Sequence, residues 1–534
     1  MEYKYLILLL LPLIAYAEIH YRLLFWPSLL FKREPEIIFD ISHRSSHKSP
    51  VALFLFIKDA HRYAIHLCSI KVYIRKEGSG ESSIFQEEWN HRITTNFYSH
   101  TIWIPADFFP DPGEYRIITQ LHYHTNAGKK RSIQQDNYRG IPHNAFSINI
   151  TDNPLPRFPN WYWGDLHVHS NYTEDQVEFG APIEATVQAA RSIGLDFIAI
   201  TDHSYDLDDH PDNFLENDRT LRKWKAFLKE VEEIQDKNPN LIIIPGEEVS
   251  VGNNKNKNVH CLILNDPEFH PGYGDSAENF LQNSPTLTIP ELLKKKSTQA
   301  LAISAHPLEK PPLAQRFILR RGIWDKEDCM LPQLDALQIL NDNSDFSLNK
   351  SMTLWKDILL TGRKIGISAG NDAHGNFNCY RQIDIPFLSM KYHQQHLLGK
   401  ARTAVLVEKF TKRNLLEALK NHQNVISTGP LAIFQLEGKG IASIGHNYHA
   451  GPGDKIKVFA KSIPEYGFWR EINLFFGQYL SKDEKRQQIP IQKNKLFIKT
   501  EFNFPSFSVD YIRLEAFTDL DNLCFSNPIW IEKS

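Results

Sequence analysis

Residues 162–170 read YWGDLHVHS, and 195–204 read LDFIAITDHS. Each is a run of apolar and β-branched residues that ends on histidine and aspartate. In a strand, residues two apart share a face, so His167 and His169 send both imidazoles to one point. Asp175 follows six residues later, within reach of a loop. The second run closes on Thr201-Asp202-His203 after a helical stretch, Ile183–Ile193.

The same rhythm continues outward from these two runs. Leu241–Pro245 follows the charged amphipathic helix Thr220–Asp236 and leads into Gly246-Glu247-Glu248. His260 lies inside the apolar run 259–264. Ala300–Ala305 follows Pro290–Ser297 and ends at His306-Pro307. Leu334–Leu340 and Lys364–Ala369 flank a helix over Lys350–Thr361, and the latter strand leads into Asp372-Ala373-His374. Alternating strands and helices predict a mostly parallel sheet, open or closed into a barrel, over residues 158–430. In such folds the C-terminal strand ends share one face, where active sites sit. A single histidine there is more often structural, but a set of metal-binding residue types at nearly every strand end points to ligation.

The ordered motifs GDLHVHS, AITDHS, PGEEVS, NVHCLIL, ISAHP and AGNDAHG resemble those of the PHP (polymerase and histidinol phosphatase) family over about half of the chain. GNDAHGNFNCYR and the closing SNPIW are similar to its carbaryl hydrolase-like branch. The resemblance implies an α/β fold, a distorted seven-stranded β/α barrel. It implies as metal ligands His167, His169, Asp175, His203, Glu248, His260, His306, Asp372 and His374. The family's Gly-x-Glu pattern selects Glu248 over Glu247. Many relatives carry Ser-Asp-Gly after the paired histidines. This chain has Thr173-Glu174-Asp175-Gln176, so the acidic ligand is Asp175 or Glu174.

Six histidines and three carboxylates without a thiolate suit two or three divalent ions, Mn, Zn or Fe, rather than Ca or Cu(I). Such a site leaves surplus positive charge, favouring an anionic substrate, and activates water as the nucleophile. Asp165 and Asp202 stand beside ligands and either orient an imidazole or cap a turn. Arg381 either clamps a substrate anion or forms a surface ion pair. Lys255 and Lys257 sit in an Asn-rich turn read as a solvated hairpin. Cys261, Trp161 and Trp163 read as core.

The flanks are β-rich. Residues 35–150 carry short strand-like runs (Val51–Ile57, Ser69–Ile74, Thr101–Ile104, Tyr115–His122) and predict a β-sandwich that ends at a Pro-rich break. Residues 431–534 predict a second β domain. Residues 1–17 read as a signal peptide or N-terminal anchor: Lys4 precedes an apolar run ending in Ala15-Tyr16-Ala17. Export, to the periplasm or the cell exterior, is the expectation, with membrane anchoring through that segment as its variant.

At 534 residues the chain exceeds a single core, and 42% hydrophobic and 23% charged residues suit a globular protein. A net charge of -3 gives no nucleic-acid signal. Five scattered cysteines exclude a thiolate zinc site and a disulfide-dense scaffold. The leading expectation is a phosphoesterase acting on a small anionic substrate. Hydrolysis of a carboxylic or carbamate ester at the same site is the alternative. A catalytically inactive binding or scaffold protein is the third reading.

Overall fold

The computed structural model describes residues 34–138, 142–173, 180–211, 213–274, 283–341, 345–384, 389–393 and 395–532. Segment 1–17 and the pair Glu174 and Asp175 lie outside them. The chain divides into two compact units. The first comprises residues up to 154 together with 173–194 and 373–398, and the second comprises 155–172, 195–372 and 399–534.

The first unit is built on two antiparallel layers. Glu36–Ile41, Val51–Lys58 and Phe97–Ile104 form one sheet. Gly113–Thr125 and Ile65–Lys76 lie at the centre of the other. Their inner positions alternate with polar ones, as a half-buried strand requires. Leu53, Leu55, Val72 and Ile117 are fully buried in the shared core. The helix Ile183–Ile193 belongs to this unit, tied by Arg44 Nη1 to the Ile193 carbonyl (3.0 Å) and by Thr101 to Gln188 (2.9 Å).

The second unit holds seven consecutive strand neighbours: β1 (Trp161–His169), β2 (Phe197–His203), β3 (Ile242–Gly252), β4 (Asn258–Leu264), β5 (Leu301–Ser304), β6 (Ala336–Asn341) and β7 (Gly366–Gly370). β2 is buried along its whole length, as its unbroken apolar run demands. The expectation of a mostly parallel sheet is corrected at β4, which runs antiparallel to both β3 and β5. The turn 253–257 is too short for a crossover helix, so the chain must return as a hairpin. Lys255 in that turn pairs with Asp325 at 3.1 Å.

Among the described residues no ladder joins β7 to β1, so a closed seven-stranded barrel is not shown, and helices are few. The two strand ends are nonetheless held together. Asp372 N donates to the His167 carbonyl at 2.9 Å. Asp165 accepts from Asn371 N (3.1 Å), Asn371 Nδ2 (2.6 Å) and Gly399 N (3.0 Å). Gly370 is required here, because a Cβ would come within 2.6 Å of His167 Cβ and 2.8 Å of its nitrogen.

The sheet continues past β1 through Arg402–Leu406, Asn424–Ser427, Leu523–Ser526, Tyr511–Thr518 and Trp469–Gly477. A separate antiparallel sheet contains Leu431–Glu437, Lys455–Lys461 and Phe497–Asn503. Cys261, Trp161 and Trp163 are core residues, and no disulfide links the five cysteines. Among the described residues no helix is long and apolar enough to cross a membrane.

Candidate metal centre

The ends of β1 to β5 deliver imidazoles around one carboxylate. Glu248 lies within 3.4 Å of His167 and His169, 3.0 Å of His203, 2.7 Å of His260 and 3.2 Å of His306. Each distance follows from strand register. His203 stands directly opposite Glu248 across the parallel β2–β3 ladder. His260 comes from the returning strand of the hairpin, and His167 and His169 share one face of β1, their Nε2 atoms 3.1 Å apart. Asp372 closes the ring, its Oδ1 3.2 Å from His167 and 3.1 Å from His169.

A carboxylate has two oxygens and about four lone pairs, and a neutral imidazole carries one N–H. Five imidazoles around one carboxylate therefore exceed what mutual hydrogen bonding can satisfy. The donors of His167, His169, Glu248 and Asp372 all lie within 4.8 Å of one another, and so do those of His203, Glu248 and His260. These donor sets suit divalent cations, and Glu248 belongs to both.

Electrostatics agree with this reading. Burial opposes charge on His167, but Asp372 and Glu248 carry its pKa up to about 9, and His169 behaves alike. Burial also opposes ionisation of Glu248, yet His260 and His167 hold its carboxyl well below the usual range. His203 is shifted down, by burial first and then by His169. The pocket stabilises positive charge placed between these groups.

The surrounding groups fix which ring nitrogen faces inward. His167 Nδ1 lies 2.9 Å from Gln338 Oε1, an acceptor, so Nδ1 keeps a proton in either charge state and Nε2 is the nitrogen that faces the cluster. Gln338 is itself held by Asn341 (3.0 Å), and Asn341 by Glu309 (3.1 Å). Arg321 Nη1 donates to His260 Nε2 at 2.7 Å, so the His260 proton sits on Nδ1 and is donated to Glu248. Two non-glycine residues of the site have positive φ, His306 at 29° and Asp372 at 52°. Backbone held in that region is costly and clusters at functional sites.

Beside the cluster lies a cavity of about 100 Å³, whose walls include His260, His306, Asp372, Arg321, Lys310 and Trp324. Trp324 anchors it by donating from Nε1 to the His260 carbonyl (3.0 Å).

The remaining expected residues fall as follows. Glu247 points away from Glu248 and accepts from His270 N at 3.0 Å. Asp202 is buried and accepts from Ser170 N and Ser170 Oγ, both at 2.7 Å. Asp165 acts as the clamp described above. His374 and Arg381 belong to the first unit, on strands Ala373–His374 and Tyr380–Asp384. The Arg381 side chain and Asp175 lie outside what is described. Sequence reasoning missed Gln338 and Arg321. Gln338 left a trace as the single polar residue inside the strand Ala-Leu-Gln-Ile-Leu. Arg321 left none, since it sits between elements.

Residues 165–325 match the PHP domain profile, a span that contains six of the donors above and ends before Asp372. Members of that family are generally metal-dependent hydrolases. No curated protein matches the chain. Among solved structures, a β-D-mannosidase from Dictyoglomus thermophilum aligns at 11% identity over 93% of this chain and 67% of its own, with a TM-score of 0.22. A cycloisomaltooligosaccharide glucanotransferase from Paenibacillus sp. aligns at 10% identity over 94% and 72%, with a TM-score of 0.17. Scores this low establish no shared fold.

Proposed function

We propose that this chain is a metal-dependent phosphoesterase. The observation that carries the reading is one carboxylate, Glu248, within 3.4 Å of five buried or nearly buried imidazoles, with Asp372 closing the set. His167, His169, Glu248 and Asp372 would hold one divalent ion, and His203, Glu248 and His260 a second, His260 giving up its Nδ1 proton as that ion binds. Glu248 is common to both. The scaffold for this is the seven-strand run β1 to β7. Bound ions supply Lewis acidity for a phosphoryl oxygen and lower the pKa of water.

The protein's own groups do the rest. Gln338 keeps His167 in the tautomer that a cation needs. Arg321 and Lys310, both on the cavity wall, place two positive charges beside the space an anion would fill. A neutral carbamate or carboxylic ester has no use for this pair, and that favours a phosphoester. Asp202 positions Ser170 next to His169 and so sets the turn that follows the paired histidines.

A turnover panel on the purified full chain tests the reading. We expect p-nitrophenyl phosphate or its bis-ester to be hydrolysed in the presence of Mn, Zn or Fe, and chelation to abolish turnover. Cleavage of p-nitrophenyl acetate alone would move the assignment to the carboxyl ester alternative. Inertness towards every ester with every ion would leave a binding protein.

A further inference from the structure

The cavity mouth is formed by a segment with a composition unlike the rest of the surface. Residues 308–323 carry four basic residues, Lys310, Arg316, Arg320 and Arg321, against one acid, Glu309. Within them the helix Leu313–Ile318 lies at the rim. Gln315 faces the cavity. Leu313 and Phe317 are four residues apart, so they share the opposite face, and they are 68% and 83% exposed. Ile323, also on the cavity wall, is 39% exposed.

Large apolar side chains this exposed are few among the described residues, and here they sit together at the entrance to the site. Pro311 and Pro312 lead into the helix, with Pro312 at its N-cap. An apolar ridge bordered by cationic side chains matches the interfacial layer of an anionic bilayer. There the ridge enters the acyl boundary and the cations meet head groups. A soluble phosphate ester needs no such ridge on its way to the cavity.

We propose that segment 308–323 seats the protein on an anionic lipid surface, and that its substrate is a phosphoester displayed there. The second half of this proposal rests on the phosphoesterase reading; the first does not. In this geometry the helix ridge enters the surface while Arg321 and Lys310 guide a head group into the cavity.

Flotation of the full chain with vesicles tests the seating. We expect it to float with mixed phosphatidylcholine–phosphatidylserine vesicles and not with pure phosphatidylcholine. The Leu313→Gln/Phe317→Gln variant should partition at least about tenfold more weakly, because two apolar side chains no longer enter the layer. Arg316→Glu alone should weaken flotation at low salt. Hydrolysis of soluble p-nitrophenyl phosphate should be equal in all three proteins. Phosphatidic acid in vesicles should lose its rate advantage in the double variant. Wild-type protein that stays off phosphatidylserine vesicles overturns the proposal, and so does a double variant that floats equally well. Flotation without any phosphate ester hydrolysis would overturn the phosphoesterase reading and keep the seating.

Discussion

Two buried clusters of charge in the second unit solve opposite problems. Around Arg513, the guanidinium donates to Glu484 through Nε (2.8 Å) and Nη2 (2.5 Å), pairs with Glu515, and lies 4.3 Å from the Phe475 ring. Tyr511 donates to the same Glu484 oxygen at 2.8 Å. Arg513 and Glu484 side chains are 3% and 2% exposed, and donors match acceptors. Around Glu248 no such one-to-one pairing is built: five imidazoles and a second carboxylate converge on one carboxylate. Burial of charge is common to both. The kind of group gathered tells a scaffold ion pair from a set that could hold a cation.

If that contrast is right, disabling each cluster gives different losses. Glu248→Gln should lower kcat/KM by about a thousandfold or more, the scale of losing a group that acts on developing charge. It should lower the unfolding midpoint measured in chelator by less than Arg513→Met does. A midpoint that collapses would make Glu248 a scaffold residue. Arg513→Met should do the reverse and destabilise the fold by about 3–5 kcal/mol, since Glu484 stays buried without its partner. Urea unfolding reads this, and turnover per folded molecule should be unchanged.

Smaller effects sharpen the line between ligands and the groups behind them. Gln338→Leu removes the acceptor that orients His167. Titration of the metal-free protein should give about 10–100-fold weaker cation binding at unchanged stoichiometry. Lost stoichiometry would mean that Gln338 holds a strand rather than a ligand.

The last effect concerns stability alone. Burial pushes the His422 pKa down to about 4, despite the Asp335 carbonyl that its Nε2 faces at 3.0 Å; Asp335 raises it, and Arg363 and Lys364 lower it further. The unfolded chain therefore takes up the His422 proton first. Stability is present above about pH 6.5 and is lost as pH falls towards 4. His422→Gln should flatten that fall by about 3 kcal/mol. An unchanged pH profile of urea midpoints would exclude His422 as its source.

Much of the centre was legible in the sequence because strands are local. The paired spacing of His167 and His169 fixes a shared face, and the apolar runs before His203 and His306 put those residues at or just past strand ends, whereas Glu248 stands inside β3, which runs on to Gly252. The direction of β4 was legible as well, because the Asn-rich turn before it reads as a hairpin, and β4 runs antiparallel to β3. Helix Ile183–Ile193 was read at its observed bounds, since its apolar positions recur at helical spacing and Gly194 ends it in a left-handed conformation. Helix Asp345–Leu359 starts five residues earlier than Lys350, because polar residues in its first turns hide the period. Arg321 and Gln338 become functional only through contacts 61 and 171 residues distant, to His260 and His167, which no local pattern encodes.

The function proposed for this protein requires the cluster around Glu248 to hold cations. Elemental analysis of the purified full chain, paired with calorimetric titration of the chelator-treated protein, measures this directly. At least two equivalents of divalent metal per chain are expected, with the count reduced in Glu248→Gln and unchanged in Arg513→Met. Protein that carries no metal when purified and takes up none on titration would contradict that function.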